Sequence, residues 1–145
     1  MLFRSDSGTT YGANNNYDVF YNSSIAVAGK ISHTAVTTTA YTTTSDYRLK
    51  EDVKPMTGAL DKIGLLKPVT YKWIQDGNDG QGFIAHELQE VFPDAVVGEK
   101  DAVDKNGNPD YQTVDTSFLV ATLVGAIQEL KAEIDELKAR LEGNN

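Results

Sequence analysis

VATLVGAIQELKAEIDELKARL, running from Val120 to Leu141, is the clearest periodic stretch in the chain. Apolar residues fall at Val120, Leu123, Ile127, Leu130, Ile134, Leu137 and Leu141, spaced alternately by three and four. That is a heptad seam, with Val120, Ile127, Ile134 and Leu141 at position a and Leu123, Leu130 and Leu137 at d. Glu133 at g can pair with Lys138 at e of a partner helix. An amphipathic helix lying on its own domain is the competing reading, but it usually carries a broader apolar stripe. The narrow seam with charged flanks therefore predicts a long C-terminal coiled-coil helix. β-branched residues at a with Leu at d nominally favour two strands, so the seam alone does not specify a trimer.

Working back from this helix, Asp115, Thr116 or Ser117 can cap it. Tyr111 to Val114 reads as a strand. Residues 98–110 are polar and turn-rich, with Asn106-Gly107 as a hairpin tip. Ala95 to Val97 is a short strand, and His86 to Phe92 a short helix stopped by Pro93. Val69, Tyr71 and Trp73 alternate with Thr70 and Lys72, which predicts a strand from Val69 to Ile74. The Asp76-Gly77-Asn78-Asp79-Gly80 run is a turn by its chemistry, with a return strand from Gly82 to Ala85. Upstream, Thr57 is placed to cap a helix to about Leu65, carrying Leu60, Ile63 and Leu66 on one face, ended by Gly64 and Pro68. Tyr47, Leu49 and Val53 suggest a short strand stopped by Pro55.

The first 44 residues differ in kind. Tyr17 to Tyr21, Ile25 to Ala28 and Lys30 to Val36 read as β segments, with turns at Gly12, Asn14–Asn16, Asn22 and Gly29. Seven of the eleven residues from Thr34 to Thr44 are Thr. Thr favours strands, but a run so poor in large apolar groups cannot make a private core. It could pack if several chains wound around one another; the alternative is a linker. His33 reads as a strand surface residue without ligand partners.

The net charge of -8 is unevenly placed. Arg4, Lys30, Asp6 and Asp18 cancel within residues 1–44, so the acidity belongs to 45–145. Nucleic-acid binding needs a basic footprint, and none is present. The chain has no Cys, which excludes disulfides and thiolate metal sites. No apolar run is long enough to span a membrane and no export signal is visible, so the cytoplasm of the producing cell is the expected compartment. No cofactor and no small-molecule substrate are expected. Gly80-x-Gly82-x-x-Ala85 mimics a dinucleotide fingerprint but falls inside the expected hairpin. Asp104-x-Asn106-x-Asn108 resembles the start of a calcium loop, but Pro109 stands where Gly is needed and no Glu closes it. His86 and Glu87 suit a helix N-terminus better than a metal site.

The chain changes character at Ser45-Asp46-Tyr47-Arg48-Leu49-Lys50. A Ser hydroxyl is a poor nucleophile until something takes its proton. Lys50 is the local candidate base, and Ser-Lys pairs are a known variant of triad chemistry. The neutral amine is required, and burial is what would favour it. Arg48 would help by like-charge repulsion, whereas Glu51 and Asp52 would oppose. Geometry is restrictive: five residues of strand span roughly 16 Å. A turn must fold Ser45 and Lys50 together, or the lysine must come from another chain. The nearest acyl target is the carbonyl of Thr44, reached through a five-membered ring. A polar turn leading into a strand is the plainer reading of the same residues.

Taken in order, Ser45-Asp46-Tyr47-Arg48-Leu49-Lys50, Pro68-Val69-x-Tyr71-x-Trp73, Gly82-Phe83-Ile84-Ala85-His86-Glu87-Leu88, and Val114-Asp115 before a heptad helix resemble one family. It is the intramolecular chaperone auto-processing domain of phage tailspikes and tail fibres, a self-cleaving serine peptidase domain. The resemblance covers about 45–145. It implies an α+β fold: a β-rich stalk end at 1–44, a small mixed globular part at 45–116, and a trimeric coiled-coil helix at 117–142. It implies a homotrimer that registers the upstream fibre stalk of the same chain and aids its folding. It implies a Ser45–Lys50 dyad that cuts between Thr44 and Ser45. Assembly would occur in the host cytoplasm, with 1–44 kept in the virion tail and 45–145 released or loosely held. His86 stands where the family often has Gln, so no role is carried to it. A non-cleaving trimeric fibre tip, with or without receptor binding, is the alternative.

Overall fold

The computed structural model describes residues 16–21, 27–35 and 38–143. The expected turns at Gly12, Asn14, Asn15 and Asn22, with Ile25 and Val36, lie outside the described residues, as does the His33 side chain. The chain forms two compact units, Met1–Val53 and Lys54–Asn145.

The N-terminal unit is an antiparallel sheet in sequence order: β1 (Asn16–Tyr21), β2 (Val27–Ala35) and β3 (Thr38–Thr43). The Thr-rich run is thus largely a strand, paired from Thr43 opposite Gly29 to Thr38 opposite Ala35. Gly29 does not make a turn, as the sequence suggested. It lies within β2, where an added Cβ would sit 2.8 Å from the Thr42 carbonyl oxygen. The neighbouring backbone needs that space. Gly29 and Ser32 are buried in this unit, and Tyr41 stands in solvent.

The C-terminal unit is built around Leu88, Phe92, Ala95, Val96 and Leu119, with Ile63, Leu66, Phe83, Ala85 and Val91 packed against them. Its elements are α1 (Ala59–Gly64), the hairpin β4 (Val69–Lys72) and β5 (Asp79–Gly82), and α2 (Ala85–Val91). A two-residue pair follows, β6 (Val96–Val97) with β7 (Thr113–Val114), and then the 23-residue α3 (Val120–Glu142). The α+β class with small antiparallel sheets and a long C-terminal helix is as the sequence indicated. Among the described residues no helix is long and apolar enough to cross a membrane.

Several local expectations shift for physical reasons. The return strand begins at Asp79, because Trp73 N–H donates to Asn78 O and Gly77 N–H to Trp73 O, closing the turn early. Gly80 then lies across from Tyr71, whose ring atoms Cε2 and Cζ would be 2.5 and 2.9 Å from an added Cβ. That glycine makes room for an aromatic ring, which explains the dinucleotide-like spacing without a nucleotide. Tyr71 in turn meets Trp73 edge-on, at 5.1 Å between centroids. Asn106-Gly107 is a tip as expected: Gly107 has φ 83°, and Asp104 accepts the N–H of Asn106 and Asn108. The Asp104 carboxylate therefore serves its own loop and is held below the usual range by those bonds, the Asn108 side chain first.

Thr57 does not cap α1. The cap is Gly58 in the left-handed region, with φ 71°, and it offers no side-chain bond. The free N–H groups of Ala59 and Leu60 donate instead to Glu129 Oε1 and Oε2 of α3, at 3.1 and 2.7 Å. These two bonds hold the Glu129 carboxyl below the usual carboxylate range. Asp115 caps the entry to α3 by accepting the Ser117 N–H, and its own N–H reaches Ala95 O.

α3 has two unlike faces. Thr122 and Ala126 are buried, and Gly125 lies so close to α1 that a Cβ would come 2.9 Å from the Ala59 Cβ. With Glu129 these residues form the face turned to α1. The heptad residues point elsewhere: Val120, Leu123, Ile127, Leu130, Ile134, Leu137 and Leu141 are each between 42% and 70% exposed.

Candidate functional site

β3 ends at Thr43, but its pairing with β2 is prolonged by Thr44. The Thr44 N–H donates to Ala28 O at 2.9 Å and its hydroxyl to Val27 O at 2.6 Å. The residue ahead of Ser45 is thus fastened to β2, the middle strand of the sheet, at two points.

The expected strand from Tyr47 does not form. Residues Tyr47–Leu49 make a single 3₁₀ turn. Leu49 N–H donates to Asp46 O and Lys50 N–H to Tyr47 O, each at 3.1 Å. Asp46 explains why a turn wins over a strand. Its Oδ1 accepts the Arg48 backbone N–H at 2.9 Å, the Asx-type bond that starts such turns.

That turn brings Ser45 and Lys50 together. The Lys50 Nζ donates to Ser45 Oγ at 2.6 Å. Both residues belong to the same chain and to the N-terminal compact unit. Both are exposed in the single chain.

Arg48 is paired with Asp46. Its guanidinium grips Asp46 through Nε on Oδ1 at 2.9 Å and Nη2 on Oδ2 at 2.8 Å. The pairing holds the Asp46 carboxyl below its ordinary value and raises the Arg48 guanidinium. Asp46 is the functional candidate that reasoning on the dyad alone passed over. The signal was present, since an Asp can accept the backbone N–H two residues on and so start an Asx turn.

The remaining motif residues lie in the C-terminal unit. Ile84 precedes α2, and Leu88 is its most buried side chain, 1% exposed. Glu87, in the first turn of α2, pairs with Lys67 at 3.5 Å. His86 lines an open groove with Glu99, Asp101, Asp110 and Tyr111.

Residues 45–97 match the family model described as "Chaperone of endosialidase", a peptidase family, and the match begins at Ser45 itself. The chain is 37% identical over 102 residues to the long tail fiber protein Gp37 of Enterobacteria phage K3, covering 67% of this chain and 8% of that protein. It is 38% identical over 104 residues to Gp37 of Enterobacteria phage M1, covering 67% of this chain and 39% of the relative. It is also 32% identical over 114 residues to the myelin gene regulatory factor-like A protein of Dictyostelium discoideum, covering 67% of this chain and 12% of that protein. The chain thus spans well under half the length of these curated relatives. Together these matches place residues 45–97 in the chaperone-of-endosialidase family, with phage tail fibre proteins among its relatives.

Proposed function

We propose that the chain is the C-terminal intramolecular chaperone of a phage tail fibre or tailspike, joined to the last part of its β-rich stalk. Residues 1–44 are the stalk end and 45–145 the chaperone. Three copies associate through the seam from Val120 to Leu141, align the stalk strands, and then cut the chain between Thr44 and Ser45. The observation that carries this reading is the 2.6 Å contact between Lys50 Nζ and Ser45 Oγ, at the first residue of the family match. The exposed heptad seam on α3 supports association.

The chemistry follows from the pair. Neutral Lys50 accepts the Ser45 Oγ proton while Oγ attacks the Thr44 carbonyl carbon. The C–N bond breaks, and the Ser45 nitrogen takes a proton back from Lys50. The product is an ester between Thr44 and the Ser45 hydroxyl. Water then hydrolyses it, leaving a Thr44 carboxylate and a Ser45 N-terminus. The anchored Thr44 keeps the carbonyl in place, which lowers the cost of orientation. Both residues are exposed in one chain, so the burial that favours the neutral amine would come from assembled copies, and cutting would wait for assembly.

Such timing has a physical use. Interwound strands fold slowly because their contacts are non-local. A coiled coil at one end raises the effective concentration of the others. Removing it afterwards leaves a stalk whose unfolding is hard to reverse. Assembly belongs in the host cytoplasm, with the stalk end kept in the virion tail.

A denaturing gel of freshly expressed chain tests the reading. Wild type gives two fragments split at Thr44–Ser45, and Ser45→Ala or Lys50→Ala gives one intact band. The open exposure of Ser45 and Lys50 also favours a second reading, a trimeric fibre tip that does not cut; an uncut wild-type trimer on the same gel selects it.

A further inference from the structure

We infer that Asp46 is a positioning residue for the Ser45–Lys50 pair, acting as the acceptor that holds the intervening turn. This deepens the proposed cleavage and rests on it. Extended, the segment would part the two side chains by roughly 16 Å. One 3₁₀ turn brings them to 2.6 Å. No residue of that turn is buried, so no apolar packing fixes it. A lone turn of this kind is marginal unless its free N–H groups find partners. Asp46 supplies the partner from both ends. Oδ1 takes the Arg48 N–H, and the two carboxylate oxygens clamp the Arg48 guanidinium over the same turn. Three donors thus converge on one carboxylate that itself touches neither the nucleophile's hydroxyl nor the Lys50 amine.

If the acceptor is what matters, an amide should replace it. An Asn carbonyl oxygen takes the same backbone N–H but does not carry the charge. Cleavage of the full chain is followed by gel for Asp46→Ala, Asp46→Asn and Arg48→Ala, with oligomeric mass and thermal midpoint measured beside it. The expected result is a rate about tenfold lower for Asp46→Ala, within about threefold of wild type for Asp46→Asn, and between the two for Arg48→Ala. Mass and midpoint stay at the wild-type values. Wild-type cutting by Asp46→Ala overturns the inference, and so does an Asp46→Asn rate as low as that of Asp46→Ala.

A second readout does not need cleavage. In the uncut Ser45→Ala background, the Arg48 amide should exchange faster with Asp46→Ala than with Asp46→Asn, and equal exchange overturns the inference. Wild type that stays intact alongside Ser45→Ala sinks the cleavage reading instead, while the exchange comparison still decides the turn.

Discussion

The two compact units are stabilised in unlike ways. In the C-terminal unit four apolar side chains close around Leu88, and a satellite layer packs against them. In the N-terminal unit the described strands pair in ladders interrupted by bulges, and among the residues whose burial is described only Gly29 and Ser32 are buried. Backbone ladders contribute modestly once exchange with water is counted, and burial of apolar surface contributes more. The C-terminal unit therefore has the means to hold its shape alone. The three-stranded sheet has a ladder but, among the residues whose burial is described, no buried apolar side chain. Ser45 and Lys50 lie in this N-terminal unit, just after its last strand.

The largest expected effect is on association. Replacing Ile127 and Ile134 together by Asp puts charge on the seam, and sedimentation should report a monomer in place of a trimer. The Leu88 core does not use those side chains, so the monomer should keep a cooperative thermal transition. Loss of that transition along with the trimer would blur the contrast between the units.

Next in size is the core itself. Leu88→Ala should cost about 2–5 kcal/mol in urea unfolding, the range for a buried leucine whose cavity does not collapse. Ser45→Ala as the host background keeps the chain in one piece. A comparable truncation at exposed Tyr41 in β3, Tyr41→Ala, should cost far less in the same assay.

A smaller effect is expected where α3 meets α1. Gly125→Ala gains about 1 kcal/mol of helix propensity. It also drives a Cβ to 2.9 Å from that of Ala59, and overpacking of this kind costs about 1–3 kcal/mol. The net should be a loss on the order of 1 kcal/mol.

The smallest effect is a pH dependence. Glu129 has a folded-state value below that of an unfolded Glu, because it accepts two helix N–H groups. The unfolded chain therefore binds its proton first as the solution is acidified. The stabilisation is complete above the unfolded value of about 4.3 and is lost as pH falls through the lower folded value. Glu129→Gln should lower the thermal midpoint at neutral pH, and its deficit against wild type should shrink in acid. A deficit that stays constant with pH would mean that the carboxylate charge contributes nothing.

Much of this was legible along the chain. Tyr71 and the alternation around it located β4, and Pro93 and Gly107 marked a helix end and a turn tip. The seam from Val120 to Leu141 announced a long helix, and its residues stand exposed in the single chain. These signals are local or periodic, so neighbouring residues are enough to express them. Asp46 overrode the apparent strand at Tyr47 because a side-chain acceptor two residues away competes directly with strand pairing. Gly29 misled for the opposite reason, since its need for space comes from Thr42 across the sheet.

The sequence by itself determined the class of the fold, the candidate nucleophile and base, and the stripe on α3, because composition, spacing and period carry each of them. Only the tertiary structure decided which face of α3 meets α1, that Glu129 caps a helix some seventy residues earlier, and that Lys50 reaches Ser45 within one chain. Those outcomes depend on distances between residues that the chain must first fold to bring together, and no local pattern encodes them.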